Sequence, residues 1–260
     1  MILKIEKLVK RFGGLTAVNQ LDMDIYEGKI NALIGPNGSG KTTTLNMISG
    51  ALVPNEGRII FEDQNITYLK EYEIARRGIR RTFQNIKLFS SMTALENVMM
   101  SGQGQDSSIT SFIFNYKKAM AFESQLKDKA EKALEYVGLS DLRNRYVKNL
   151  PYGQQKKLEI ARAIMMGPKL VLLDEPATGL NPIERAELVE IMQRIKDDGV
   201  TVLLIEHNMD VVMAISSWIT VLNFGMKIAE GKPKEIQNDD KVIEAYLGAK
   251  YKKVSTKEDV

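Results

Sequence analysis

Gly35-Pro36-Asn37-Gly38-Ser39-Gly40-Lys41-Thr42 fits the spacing G-x-x-x-x-G-K-[ST], with Thr43 continuing it. In that pattern the glycines let backbone N–H groups curl around phosphate oxygens, and a helix that follows presents its positive end to them. Lys41 is placed to reach the β- and γ-phosphates, and the Thr42 hydroxyl to ligand Mg²⁺. A second candidate is Leu170-Val171-Leu172-Leu173-Asp174-Glu175, an apolar strand ending in two carboxylates at the sheet edge where ligands of α/β proteins bind. Asp174 suits the water shell of Mg²⁺, and Glu175 suits polarisation of a water for in-line attack on a γ-phosphate. His207 also follows a buried strand, so it falls on the same edge, where it can donate a hydrogen bond to phosphate. The competing readings are a plain glycine turn, a solvated carboxylate pair and a structural histidine. The strand before the glycine loop and the helix after it argue against the first.

The elements that must position these groups are legible in the apolar pattern. Asn31–Ile34 reads as a short strand entering the loop, and Thr42–Ser49 as the helix leaving it. Gly57–Phe61 reads as a strand and Glu71–Gly78 as a short helix ending on glycine. The first thirty residues alternate in apolar stretches broken by glycines, as strands joined by turns do. Ala119–Val137 has helical spacing with lysines and glutamates between. Pro151 suits a helix start, with Leu158, Ala161, Ile164 and Met165 on one face. Ile183–Lys196 is a further helix, Val200–Ile205 a buried strand, and Ile219–Phe224 with Met226–Ala229 a hairpin. Strands alternating with helices at both ends imply an α/β fold with a mainly parallel, covered sheet and a helical block inserted in it.

Composition narrows the chemistry. The chain has 260 residues, 44% hydrophobic and 27% charged, an ordinary globular balance. Lys+Arg 36 against Asp+Glu 33 leaves +3, too little for a polybasic nucleic-acid binder, so no nucleic-acid partner is expected. With no cysteine and one histidine, thiolate zinc sites, iron–sulfur clusters, cysteine nucleophiles and His-rich metal sites are excluded, and oxygens must hold any metal. No apolar run approaches the roughly 18 residues a bilayer span needs. Lys4, Glu6, Lys7, Lys10 and Arg11 interrupt the amino terminus, so a secretory signal is not expected and the chain reads as cytoplasmic.

GPNGSGKT, Arg81-Thr82-Phe83-Gln84, LPYGQQKKLEIARAI, LVLLDEP, TGLNP and IEH stand in one order over nearly the whole chain. In that order the sequence resembles an ATP-binding cassette subunit, the segment before the second carboxylate motif separating this family from other phosphate-loop proteins. The resemblance implies a P-loop NTPase fold with an antiparallel β subdomain and a helical subdomain. It divides the chain into a nucleotide-binding core over 1–88, a helical subdomain over 89–164, the rest of the core over 165–248 and a polar tail over 249–260. It implies ATP and Mg²⁺ as cofactors, Glu175 as general base, His207 as γ-phosphate sensor, and Gln84 on a loop touching Mg²⁺ and the attacking water. Phe12 takes the place of the aromatic that stacks on adenine, with core packing as its alternative.

The same resemblance implies a head-to-tail dimer in which Gly153 and Gln154 act on the partner's ATP. Here Leu150-Pro151-Tyr152-Gly153-Gln154 replaces L-S-G-G-Q, so Pro151 removes a hydroxyl and a backbone donor. Asn181 stands where many relatives carry aspartate. The helical block would dock on transmembrane permease subunits, with Leu88, Phe89 and Met92 as contact candidates, core packing being their alternative, and Ser111–Phe114 either a further contact or a cover over the core, while an external substrate-binding protein would act indirectly. That puts the chain peripherally on the cytoplasmic face of the cell membrane. The YGQQ segment, GLNP, LLIEHNMDVVM and the closing Val242–Gly248 resemble the ATPases of branched-chain amino acid importers. Urea and amide importer ATPases share much of this pattern; a lipid exporter ATPase and a soluble cassette acting on ribosomes or DNA are the other readings.

Overall fold

A computed structural model describes residues 1–82, 87–102 and 116–247. Gln84, Asn85, Ser111–Phe114 and the polar tail lie outside the described residues.

The glycine pair at 13–14 turns two long strands, β1 (Leu3–Phe12) and β2 (Leu15–Ile25), back on each other. With β4 (Glu56–Phe61) and β5 (Gln64–Asn65) they form an antiparallel sheet of order β2-β1-β4-β5. Both hairpin strands run longer than their apolar residues alone suggest, because β1 pairs with β2 on one side and β4 on the other and so is held along its polar end as well.

The second sheet holds β3 (Ile30–Ile34), β6 (Ile79–Arg81), β7 (Leu170–Asp174), β8 (Thr201–Ile205), β9 (Trp218–Asn223) and β10 (Met226–Gly231) in the order β10-β9-β3-β8-β7-β6. All its pairings are parallel except β9–β10, the expected terminal hairpin. Strands buried on both faces need no polar alternation, and β3, β7 and β8 are buried at every position.

The helices are α1 (Lys41–Ile48), α2 (Glu71–Arg76), α3 (Ala94–Met99), α4 (Tyr116–Tyr136), α5 (Tyr152–Ile164), α6 (Pro182–Asp197), α7 (Met209–Ile215), α8 (Pro233–Gln237) and α9 (Asp240–Leu247). Pro151 stands one residue outside α5, as its cap. Side chains alternate across the sheet with period two. Val171, Leu173, Val202 and Leu204 pack with Leu126 and Leu134 of α4, Leu158 and Ala161 of α5, and Leu188 and Ile191 of α6. Leu170, Leu172, Leu203 and Ile205 face Leu45 and Ile48 of α1 and, through them, Ile5, Met23 and Phe61 of the antiparallel sheet. Truncating a leucine in such a layer to alanine typically costs about 2–5 kcal/mol, so the sheet is a rigid platform for what its edge carries. Met165 is buried and accepts a hydrogen bond from Ser101, as core filler. No helix among the described residues is long and apolar enough to cross a membrane.

Candidate functional site

Three adjacent parallel strands end together. Leu33 of β3 is level with Ile205 of β8, and Ile205 is level with Asp174 of β7. The residues that follow, Gly35, Glu175 and Glu206-His207, therefore emerge side by side at the carboxyl edge, which is where a crevice for ligands forms in such sheets.

The loop from Gly35 to Gly40 wraps the start of α1. A Cβ on Gly35 would run into the Leu222 carbonyl, and Gly40 sits at φ 102, a left-handed conformation that disfavours other residues. No side chain caps α1, so its first N–H groups stay available to an anion. Lys41, 5% exposed, folds back to donate to the Gly35 and Pro36 carbonyls at 2.9 Å each. Burial pushes its ammonium below the usual lysine range, and the Glu175 and Asp174 charges oppose that shift. Thr42 is exposed and Thr43 half-buried in the first turn of α1, while Asn37 and Gly38 are exposed and Ser39 is buried.

Asp174 is 1% exposed. Its Oδ2 accepts from Arg81 Nη2 at 3.0 Å, and Arg81 Nη1 also donates to Asn46 Oδ1 at 2.6 Å and Ser49 Oγ at 3.1 Å. Arg81 thus ties the end of β6 to β7 and to α1. Burial raises the Asp174 carboxyl above its usual range, against the hydrogen bond and charge of Arg81, which lower it. The other oxygen, Oδ1, is buried and has no hydrogen-bond partner among the described residues. An orphaned carboxylate oxygen beside a phosphate loop suits a divalent cation. Mg²⁺ commonly takes one or two carboxylates and completes its shell with substrate phosphates and waters. Asp174 and the Thr42 hydroxyl fit that donor set, and no cluster of three or more His, Cys, Asp or Glu forms a protein cage among the described residues.

Glu175 is 9% exposed and takes φ 50, a left-handed conformation for a residue with a Cβ. His207 Nε2 donates to its Oε1 at 2.8 Å, and Thr178 Oγ1 to its Oε2 at 3.4 Å. His207 is thus brought onto the carboxylate itself, which the sequence order alone does not show.

Phe12 is 46% exposed at the end of β1 with the Lys10 ammonium over its ring, so it is a surface aromatic and not core packing. Gly153 and Gln154 stand in the first turn of α5: a Cβ on Gly153 would collide with the Glu184 carboxylate of α6, and Gln154 Oε1 is buried without a partner among the described residues. Asn181 uses its acceptor to cap α6, taking N–H bonds from Ile183 at 2.9 Å and Glu184 at 3.0 Å. Of the docking candidates, Leu88 and Met92 are half-buried, and Phe89 is exposed with the Arg162 guanidinium over its ring. Two residues beside the site, one half-buried and one buried, escaped the sequence reading. One is Arg81, quoted there only as part of a motif; the other is Glu206, whose single sequence signal is a charge closing an apolar strand.

Strand, glycine loop and helix beside a strand ending in two carboxylates define a phosphate-loop nucleotide-binding domain. The ABC transporter family model matches residues 18–178, and that for the branched-chain amino acid ATP-binding cassette transporter matches residues 226–252. The high-affinity branched-chain amino acid transport ATP-binding protein LivG of Escherichia coli is 42% identical over 95% of this chain and 98% of its own length. BraF of Pseudomonas aeruginosa, of the same description, is 43% identical over 95% and 98%. A crystal structure of a nucleotide-free ATP-binding cassette from an ABC transporter superposes with TM-score 0.84 at 37% identity, covering 95% of this chain and 99% of that one. A dimeric post-hydrolysis cassette bound to ADP and Pi superposes with TM-score 0.75 at 26% identity over 89% and 99%. The chain belongs to the ABC transporter family, as one of its ATP-binding cassette ATPases.

Proposed function

We propose that the chain energises uptake of branched-chain amino acids as an ATP-hydrolysing subunit of an importer, working on the cytoplasmic face of the membrane. The observation that carries the hydrolytic part is the convergence of the Lys41 loop, Asp174, Glu175 and His207 on one sheet edge, with Glu175 and His207 2.8 Å apart. The cargo class rests on the relatives LivG and BraF and on the matching carboxyl-terminal segment.

The glycine loop and α1 N–H groups bind the β- and γ-phosphates of ATP, and Lys41 exchanges loop carbonyls for phosphate oxygens. Phe12 offers its exposed face to adenine. Asp174 and Thr42, with Gln84 from outside the described residues, would hold Mg²⁺, which when bound neutralises phosphate charge. Glu175 takes the proton of the attacking water, and the His207 Nε2–H that holds Glu175 is the donor the γ-phosphate can share. The uncapped start of α5, with Gly153 and Gln154, closes over the ATP of a second ATPase subunit; backbone donors of this helix stand in for the hydroxyl that Pro151 lacks.

Replacing Lys41 with alanine removes a charge-assisted phosphate contact worth about 1.5–3 kcal/mol. Calorimetry is expected to show ATP binding weaker by at least about tenfold, and wild-type affinity would remove Lys41 from the role. The transport assignment is tested by isolating the tagged chain from native membranes in mild detergent and identifying its companions by mass spectrometry. Two permease subunits, a second ATPase and an amino acid binding protein are expected. A urea or amide binding protein, lipid-export permeases, or ribosomal or DNA-repair partners would each overturn it.

A further inference from the structure

We propose that Glu206 is a positioning residue for hydrolysis, whose buried carboxylate locks the turn after β7 to the turn after β8 and so holds Glu175 and His207 at bonding distance. The inference rests on the reading of Glu175 as the base.

Glu206 is 1% exposed and does not point to solvent as a strand-end carboxylate ordinarily does. Its Oε1 accepts from the Ala177 N–H at 2.7 Å, two residues beyond Glu175. Its Oε2 accepts from the His207 N–H at 3.0 Å and the Asn208 N–H at 3.3 Å. One side chain therefore fixes the backbone on either side of the catalytic pair. Glu175 needs such fixing, because a side-chain-bearing residue at φ 50 is strained and stays there only when its surroundings over-determine it. Among the described residues those surroundings include three backbone bonds. The Glu175 N–H donates to the Ile205 carbonyl at 2.9 Å, the Thr178 N–H to the Glu175 carbonyl at 3.3 Å, and the Ala177 N–H to Glu206. Two of the three anchors come from consecutive residues, Ile205 and Glu206, and the next residue, His207, supplies the ring that meets Glu175. The result is a closed loop of contacts in which the Glu206 carboxylate bridges the two turns.

A carboxylate is required because all three partners are donors and an ionised carboxylate only accepts. Glutamine keeps the volume but turns its NH₂ toward at least one backbone N–H. Aspartate keeps the charge but is one methylene too short to span Ala177 and His207 together.

The test uses the membrane complex that co-purifies with this chain in mild detergent, with single-turnover hydrolysis of labelled ATP and steady-state kinetics. Glu206→Gln is expected to lower kcat at least about tenfold with KM for Mg-ATP changed less than about twofold, as loss of a contact felt only in the reaction does. In a Glu175→Gln background the same change should alter the residual rate less than about twofold, because the group it positions is already disabled. Wild-type kcat in Glu206→Gln, or an equal fold-loss in both backgrounds, would overturn the proposal. If Glu206→Gln does not fold, Glu206→Asp is read by the same criteria. A wild-type complex that binds ATP without hydrolysing it would instead sink the underlying reading of Glu175, and this inference with it.

Discussion

Glu175→Gln is expected to cut saturating ATP turnover by about 10²–10⁴-fold, the usual worth of a positioned general base, while ATP affinity stays within a few-fold of wild type. The exchange is nearly isosteric. Glutamine's carbonyl can still accept from His207 Nε2, the contact that measures 2.8 Å in the native pair, so the geometry of the edge persists. What disappears is the ability to take a proton from water. Because ATP would then bind without being consumed, the variant should accumulate the nucleotide-closed dimer. Phosphate release at saturating Mg-ATP alongside calorimetric binding checks both halves, and unchanged turnover would strip Glu175 of the base role.

Arg81→Leu is expected to be the most costly single change to stability near the site, about 3–5 kcal/mol by urea unfolding. It strands the Asp174 carboxylate, 1% exposed, with one oxygen already lacking a partner among the described residues, and it also removes the donor that Asn46 and Ser49 share. Lys156 also lends Asp174 a favourable charge. The companion double variant Arg81→Leu, Asp174→Asn should recover part of the loss, since a buried pair removed together costs less than one partner left alone. A loss below about 1 kcal/mol for Arg81→Leu would show that water or Lys156 already compensates the carboxylate.

The two expectations differ in how visible their residues are in the sequence. Lys41, Asp174 and Glu175 announce themselves because their chemistry is tied to local pattern: a glycine spacing, then an apolar run closing in two acids. His207 could be placed on the same edge from its strand alone, but not onto Glu175, since that contact depends on β8 lying beside β7. Arg81 and Glu206 were invisible as site residues for the same reason, their partners standing 93 and 29 positions away and meeting them only through strand order. Phe12 shows the converse, because residue type left stacking and core packing both open and its exposure removes core packing. Helix and strand limits shifted by a residue or two, as at β8, where Val200 precedes the strand at Thr201.

The central claim, an ATPase that drives branched-chain amino acid uptake, is tested most directly in proteoliposomes made with the membrane complex that co-purifies with this chain. Labelled leucine, presented with its binding protein, should accumulate only when Mg-ATP reaches the side bearing the ATPase, and a complex carrying Glu175→Gln should accumulate none. ATP hydrolysis by the wild-type complex without uptake of leucine, isoleucine or valine would contradict the account.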